Sequence, residues 1–265
     1  MRPQIVLFGD SITQQSFGPG GWGAALADSY CRKADVILRG YGGYNSRWAR
    51  FLLHRVFPLG SSNPPVAVTI FFGANDAALL GKTSERQHVP AEEYKENLKE
   101  IVKHLQVLAT FVFTQSDEST VTYLHCFNLQ ECYPNMLIIL ITPPPVDELG
   151  RMEYAISLYG EKAMKHSERT NETTGLYAKQ CVDIAKQLGV HFIDLWSKMQ
   201  ETEGWRKSFL SDGLHLTPQG NSVVYQEVVK VLSQSKLSSE DFPYDFPHHS
   251  EIDGSQPQLA FKNGN

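Results

Sequence analysis

Short runs of consecutive apolar residues alternate along the chain with longer stretches in which apolar residues recur every three or four positions. The short runs predict five strands, at residues 5–8, 36–38, 66–72, 136–141 and 190–193. Unbroken apolar runs of this length are typical of strands that are buried on both faces, as in a parallel sheet. The pattern therefore predicts parallel strands with a covering layer on each side.

The stretches between these strands have the period of an amphipathic helix. Pro218 suits the first turn of the last of them. The apolar positions at helical spacing are Tyr94, Leu98, Ile101, Val102, Leu105 and Leu108, then Leu176, Tyr177, Cys181, Ile184 and Leu188, and finally residues 223–232. Alternating strands and helices predict an α/β fold, with three layers (α/β/α) and a parallel sheet of about five strands.

Two segments depart from this alternation. Connections from a helix to a strand usually take about 2–6 residues, whereas residues from about 109 to 135 form a much longer stretch, which we interpret as an unusual insertion. Residues 237–265 are polar, contain prolines and have no periodicity, which predicts a flexible C-terminal tail. We therefore expect one domain over residues 1–236, followed by the tail.

Composition and charge exclude several classes of protein. The chain has 265 residues, of which 42% are hydrophobic, and this is enough for one domain with a full core. Its formal net charge of -5 and the lack of a basic stripe argue against a nucleic-acid partner. No apolar run reaches the ~18 residues of a membrane span. The first apolar run starts at Ile5, so we expect no secretory leader and an intracellular, cytoplasmic location.

A serine near one end of the chain and a histidine near the other suit nucleophilic catalysis. Ser11 follows the first predicted strand in the sequence Gly-Asp-Ser, and Asp212 precedes His215 by three residues in a turn-forming stretch. A serine hydroxyl becomes a nucleophile when a histidine takes its proton and an acid orients that histidine. Ligands of parallel sheets bind beyond the carboxyl ends of the strands. The residues therefore predict a serine esterase.

Candidate donors for an oxyanion follow the second and third predicted strands. Gly40, Gly42 and Gly43 lie after the second strand, and Asn75 lies after the third. Backbone amides of glycine-rich turns and side-chain amides can donate hydrogen bonds where a carbonyl oxygen becomes an anion. Three donors would form an oxyanion hole: the amide of Ser11, the amide of one of these glycines and the side chain of Asn75.

These four blocks resemble those of the SGNH (GDSL) hydrolases. Gly-Asp-Ser, a glycine after the second strand, Gly-x-Asn-Asp and Asp-x-x-His occur in the order of that family over residues 2–232. The sequences at 7–13, 20–24 and 212–216 are similar to the isoamyl-acetate-hydrolysing esterase branch, and within it most to plant GDSL esterase/lipase proteins. The resemblance implies a flavodoxin-like fold and hydrolysis of short-chain or acetyl esters through an acyl-enzyme.

The resemblance also implies the role of each site residue. Ser11 is the expected nucleophile, and Asp212 and His215 complete the catalytic group. The amide of Ser11, the amide of Gly43 and the side chain of Asn75 are the expected oxyanion donors; the choice of Gly43 over its neighbours rests on the family's block. We expect no metal, no organic cofactor and a small-molecule ester as partner, and the sequence leaves the oligomeric state open.

Other interpretations of the same residues stay open. Residues 18–23 match Gly-x-Gly-x-x-Gly, but they do not follow the strand directly, so a nucleotide site is disfavoured. No Gly-x-Ser-x-Gly elbow is present, which argues against an α/β-hydrolase. A metal site formed by Asp10, Asp76, Asp212 and His215 has no supporting motif. The remaining alternatives are a carbohydrate acetyl-esterase and a catalytically silent ligand-binding protein of the same fold.

Overall fold

Five parallel strands form the central sheet of the computed structural model, in the spatial order β2-β1-β3-β4-β5. They are β1 (Gln4–Gly9), β2 (Asp35–Gly40), β3 (Ala67–Phe71), β4 (Leu137–Ile141) and β5 (His191–Ile193). All five predicted strands are confirmed. This strand order is that of flavodoxin-like sheets, in which the ligand site lies at the carboxyl ends of the strands beside β1.

The structure describes residues 2–59, 61–114, 136–160, 163 and 166–261, except for the side chains of residues 109–114. The predicted insertion at about 109–135 lies outside the described residues, apart from the helical backbone that reaches Thr114. The described α-helices are α1 (Ser11–Gln14), α2 (Trp22–Ser29), α3 (Ser46–Arg50), α4 (Leu53–Val56), α5 (Ala91–Thr114), α6 (Glu148–Tyr159), α7 (Asn171–Leu188), α8 (Leu195–Gln200), α9 (Trp205–Phe209) and α10 (Pro218–Gln234).

Helices cover both faces of the sheet and create two separate buried clusters. Ile5 and Leu7 of β1 belong to the cluster under α2 and α10, whereas Val6 and Phe8 belong to the cluster under α5 and α7. Successive side chains of a strand point to opposite faces, so an unbroken apolar run fills both clusters at once. The predicted three-layer α/β/α arrangement is confirmed.

The longest described helix shows how the sequence divides between core and solvent. In α5, Leu98 and Ile101 are fully buried against the sheet, whereas Glu96, Glu100 and Lys103 are exposed. The burial of the apolar face stabilises the helix far more than its intrinsic propensity does. In the described part of the chain, no helix has both the length and the hydrophobicity needed to cross a membrane.

One apolar residue of α7 lies outside the buried face of the helix. Leu176 is 57% exposed, whereas Tyr177, Cys181 and Ile184 are buried. Those three residues are separated by four and three positions, so they share one face of the helix. Leu176 precedes Tyr177 by one residue and is therefore rotated by about 100° away from that face.

The segment after residue 236 begins with residues that contact the domain. Leu237 and Phe242 are buried, and the Phe242 ring lies 5.8 Å from that of Tyr30. The carboxylate of Asp245 accepts hydrogen bonds from Arg2 and Arg32. Apolar burial and these ion pairs hold the first part of the segment on the domain surface, and the flexible tail stays a prediction for the residues that follow.

Candidate active site

The predicted site residues follow three neighbouring strands at one edge of the sheet. Ser11 lies after β1, Gly43 after β2 and Asn75 after β3, and β2, β1 and β3 are adjacent in the sheet. The loop that precedes α10 brings His215 to the same edge, because its Nε2 lies 2.9 Å from Ser11 Oγ. The structure therefore brings together residues from both ends of the chain.

Ser11 is held by the cap of a short helix. Asp10 is the N-cap of α1, and its Oδ1 accepts a hydrogen bond from the backbone N–H of Ile12 at 2.9 Å. Ser11 is the first residue of that helix and is half-buried. The first amides of a helix have no partner within it and carry its positive dipole end, which favours a negative charge next to the Ser11 amide.

A tight turn places Asp212 beside the histidine that contacts Ser11. Asp212 Oδ2 lies 2.8 Å from His215 Nδ1, and Asp212 Oδ1 accepts the backbone N–H of Leu214 at 3.0 Å and of His215 at 2.7 Å. Gly213 has φ of +78°, and a Cβ there would lie 2.4 Å from the carbonyl oxygen of Asp147. The turn therefore requires glycine at position 213.

Asp212 is ionised in this arrangement. Burial alone would raise the pKa of its carboxyl, but the hydrogen bonds and charge of His215, together with the charge of Arg151, outweigh burial and hold the pKa well below its usual range. An ionised Asp212 accepts a hydrogen bond from the Nδ1–H group of His215, so His215 Nε2 carries no proton and can accept the hydroxyl proton of Ser11. The three side chains thus form one directed chain of hydrogen bonds.

The candidate oxyanion donors are held in position and keep N–H groups unused. Gly43 has φ of +77°, which favours glycine. The Gly42 amide donates to Gln14 Oε1 at 2.6 Å, whereas no described residue accepts the amide of Gly43 or of Ser11. Asn75 is buried and donates one N–H of its side chain to the carbonyl oxygen of Tyr44 at 2.9 Å. The Gly43 amide is therefore available as a donor, and the Gly42 amide is not.

Sequence reasoning missed a group of charged and polar residues that surrounds these side chains. Arg151 Nη1 donates to Asp212 Oδ2 at 2.9 Å, and Glu168 Oε1 accepts from Arg151 at 2.6 Å and from Arg169 at 2.8 Å. Arg169 in turn reaches Asn75 and Gln87. Arg151 lies in the first turn of α6, Glu168 lies in the loop before α7, and neither matches a motif, so only the adjacent charges of Glu168 and Arg169 could have drawn attention.

Two further carboxyls lie buried beneath the site. Burial raises the pKa of Asp10 to about 6 and that of Asp76 to about 7, although Asp76 accepts hydrogen bonds from the amide and the hydroxyl of Ser46. Asp10 Oδ2 has no hydrogen-bond partner among the described residues, so no hydrogen bond at that oxygen offsets its burial. In the described ranges, no group of three or more His, Cys, Asp or Glu residues could hold a metal ion.

The raised pKa of Asp76 predicts a dependence of stability on pH. A carboxyl with a higher pKa in the folded state takes up a proton on folding, so the free energy of unfolding falls as pH rises from about 4 to about 7. Asp76→Asn should reduce this fall by on the order of 4 kcal/mol, measured by urea denaturation at pH 4.5 and pH 8. Asp28→Asn, which changes an exposed carboxyl, is the control. Equal falls in wild type and Asp76→Asn would contradict this prediction.

Comparison with known proteins gives consistent matches over almost the whole chain. Residues 5–228 match the family described as GDSL-like Lipase/Acylhydrolase. A GDSL esterase/lipase of Arabidopsis thaliana is 62% identical over 262 residues, which cover 99% of this chain and 98% of the relative. An isoamyl acetate-hydrolyzing esterase 1 homolog of Bos taurus is 40% identical over 259 residues, covering 97% of this chain and 91% of the relative. A solved lipase/acylhydrolase from Enterococcus faecalis superposes with a TM-score of 0.60 at 21% identity, over 92% of this chain and 98% of the other.

The class of protein follows from the fold, the site and these matches together. The molecule is a carboxylic ester hydrolase built on a flavodoxin-like parallel sheet. The chain belongs to the GDSL-like lipase/acylhydrolase family. The resemblance to SGNH hydrolases that the four sequence blocks indicate is therefore confirmed, as is the similarity to isoamyl-acetate-hydrolysing esterases and plant GDSL esterase/lipases.

Proposed function

We propose that this protein hydrolyses short-chain carboxylic esters, with acetyl esters of small alcohols foremost, through Ser11, His215 and Asp212. The observation that carries the proposal is the directed chain of hydrogen bonds from Ser11 Oγ to His215 Nε2, at 2.9 Å, and from His215 Nδ1 to Asp212 Oδ2, at 2.8 Å. A histidine oriented in this way by an ionised acid can take the proton of a serine hydroxyl as the hydroxyl attacks.

The proposed reaction has two parts that use the same groups. Ser11 Oγ attacks the ester carbonyl carbon while His215 Nε2 takes its proton, and the protonated histidine then gives that proton to the leaving alcohol. Water attacks the acyl-enzyme in the same way, and Ser11 regains its proton when the acid is released. In both parts the amides of Ser11 and Gly43 and the side chain of Asn75 donate to the oxyanion.

The names of the relatives and the surface near Tyr44 support a small, apolar ester as the substrate. The 40% identical bovine relative is named an isoamyl acetate-hydrolyzing esterase homolog. A groove of about 430 Å³ is lined by Tyr44, whose carbonyl oxygen accepts a hydrogen bond from Asn75, and by Trp48, Phe51, Leu52 and Arg86. Apolar walls favour an apolar alcohol or acyl group over a sugar, because a sugar hydroxyl in such a groove would lose its hydrogen bonds to water.

The proposal is tested with two sets of substrates and one probe. Hydrolysis of p-nitrophenyl acetate, butyrate and decanoate should fall with acyl length, and isoamyl acetate should be hydrolysed faster than soluble acetylated sugars. A fluorophosphonate probe should label Ser11, located by peptide mass spectrometry, because the label needs an activated hydroxyl. Preference for the acetylated sugars would instead support a carbohydrate acetyl-esterase, and a folded chain with neither labelling nor turnover would support a silent binding protein.

Asn75→Ala should lower kcat by about 10²- to 10³-fold while KM changes little, because the lost donor acts mainly in the transition state. The measurement is steady-state hydrolysis of p-nitrophenyl acetate. Asn63→Ala, at a position outside the site, is the matched control and should keep the wild-type rate. A kcat of Asn75→Ala close to that of the wild type would remove Asn75 from the oxyanion hole.

A further inference from the structure

Arg169 is a buried guanidinium that makes hydrogen bonds to four different groups. Its side chain is 3% exposed. Nε donates to the carbonyl oxygen of Ala74 at 2.7 Å, and Nη1 donates to Glu168 Oε1 at 2.8 Å. Nη2 donates to Asn75 Oδ1 at 3.1 Å and to Gln87 Oε1 at 2.6 Å. A planar fork of fixed N–H groups can hold several acceptors at set angles, which a lysine cannot do.

The contact with Asn75 decides which end of that side-chain amide faces the site. A guanidinium has donors and no acceptor, so the atom of Asn75 that faces Arg169 is the oxygen. The amide nitrogen then carries both N–H groups on the other side. One of them donates to the carbonyl oxygen of Tyr44, and the second is left to donate to an oxyanion. Donation by Arg169 to Oδ1 also polarises the amide and strengthens its N–H donors.

The contact with Gln87 extends the same support to the loop that carries Gly43. Gln87 Oε1 accepts from Arg169, and Gln87 Nε2 donates to the carbonyl oxygen of Gly43 at 3.1 Å. The backbone carbonyl of Gln87 accepts a hydrogen bond from Asn45 Nδ2 at 2.9 Å, on the same loop. The guanidinium of Arg169 therefore contacts Asn75 directly and contacts the Gly43 loop through Gln87.

A shared carboxylate links Arg169 to the other half of the site. Glu168 Oε1 accepts from both Arg169 and Arg151, and Arg151 donates to Asp212. Two arginines and two carboxylates thus balance in charge, with side chains that are at most 13% exposed. Buried ions of this kind keep a fixed geometry because each one depends on its partner.

We infer that Arg169 is a positioning residue that holds the Asn75 and Gly43 donors of the oxyanion hole in register with Asp212 and His215. This inference rests on the proposed function, because it assigns Arg169 a role in the reaction proposed for Ser11. Arg169 does not reach the reacting atoms itself; it acts through Asn75, Gln87 and Glu168.

The test is the conservative variant Arg169→Lys, which keeps the charge beside Glu168 but cannot bind all four acceptors. We expect kcat for p-nitrophenyl acetate to fall about 10- to 100-fold, as for a small misplacement of catalytic groups, with KM within about threefold of wild type. In an Asn75→Ala background, Arg169→Lys should have a smaller effect, since part of its action passes through Asn75. Arg2→Lys is the control, because Arg2 pairs with Asp245 and Asp35 and precedes β1, at the opposite end of that strand from Ser11.

Gln87→Met gives a second test that does not depend on a buried charge. Gln87 is half-buried, and methionine keeps its length while removing the link between Arg169 and Gly43. We expect kcat to fall about tenfold with KM nearly unchanged. This variant decides the inference if Arg169→Lys does not fold, as judged by its thermal unfolding.

The outcomes separate this inference from the proposed function. An active wild type, with Arg169→Lys folded and within twofold of its kcat, would overturn the role of Arg169 alone. The role of Arg169 would also be overturned if Arg169→Lys lowered kcat by the same factor in the Asn75→Ala background as in the wild type. If Arg169→Lys does not fold, a fully active Gln87→Met would overturn it instead. A folded wild type that hydrolyses none of the esters would overturn the proposed function, and the inference with it.

Discussion

Ser11→Ala is expected to lower kcat for p-nitrophenyl acetate by about 10⁴- to 10⁶-fold, because no other group can take the place of the attacking hydroxyl. The fold should persist, since alanine suits the first turn of α1 and the Asp10 cap to the amide of Ile12 is unchanged. The measurement is steady-state turnover, together with fluorophosphonate labelling and a thermal unfolding curve. The labelling should disappear with the activity.

The control for this variant is Ser157→Ala, which removes the hydroxyl of an exposed serine in α6. It should keep the activity, the labelling and the melting temperature of the wild type. Equal activity in Ser11→Ala and the wild type would show that the hydrolysis does not use Ser11. The geometry between Ser11 and His215 would then need an explanation other than nucleophilic catalysis.

Asp212→Asn is expected to lower kcat/KM by about 10⁴-fold near neutral pH. Every described group that contacts the Asp212 carboxylate is a donor: His215 Nδ1, Arg151 Nη1 and the backbone N–H groups of Leu214 and His215. An asparagine must place its NH₂ group against one of these donors. If His215 turns its Nδ1 into an acceptor for that NH₂ group, its Nε2 carries the proton and can no longer receive the proton of Ser11.

The same substitution should also lower stability in a way that depends on pH. The folded-state pKa of Asp212 lies below its ordinary value, so the stabilisation is present above about pH 4 and is lost as the pH falls below that value. The difference in free energy of unfolding between wild type and Asp212→Asn should therefore be larger at pH 7 than at pH 3. Urea denaturation at the two pH values measures it.

Asp194→Asn is the matched control, because Asp194 caps α8 with hydrogen bonds from Ser197 and lies outside the site. It should cost stability without a comparable loss of kcat/KM. A kcat/KM of Asp212→Asn within tenfold of wild type would show that the orientation of His215 does not depend on the acid, and Asp212 would lose its proposed role.

The sheet could be predicted from sequence because each strand carries a strong local signal. Five apolar runs predict the five strands, since a strand buried on both faces has apolar residues at every position. The buried face of a helix depends more on its surroundings. Leu176 has the period of its helix but lies at the edge of the apolar stripe, and only packing against the sheet decides which edge is buried.

The central residues of the candidate site could also be predicted from the sequence, because they too lie in short segments with strong local signals. Ser11 lies directly after a strand, and Asp212 and His215 are only three residues apart, so short segments determine their local geometry. The parallel sheet then places the ends of β1, β2 and β3 at a common edge, and Gly43 and Asn75 follow two of those ends. These are consequences of chain direction and strand order, which the alternation of elements predicts.

By itself, then, the sequence determined the α/β class, the five strands and the residues that occupy the strand ends. The tertiary structure alone decided that the amide of Gly42 donates to Gln14, how Arg151, Glu168 and Arg169 join the two halves of the site, and that Leu237 and Phe242 are buried. The physical reason is how far apart in the chain the interacting residues lie. Burial patterns and turns act over a few neighbouring residues, whereas hydrogen bonds between buried charges depend on distances between segments far apart in the chain.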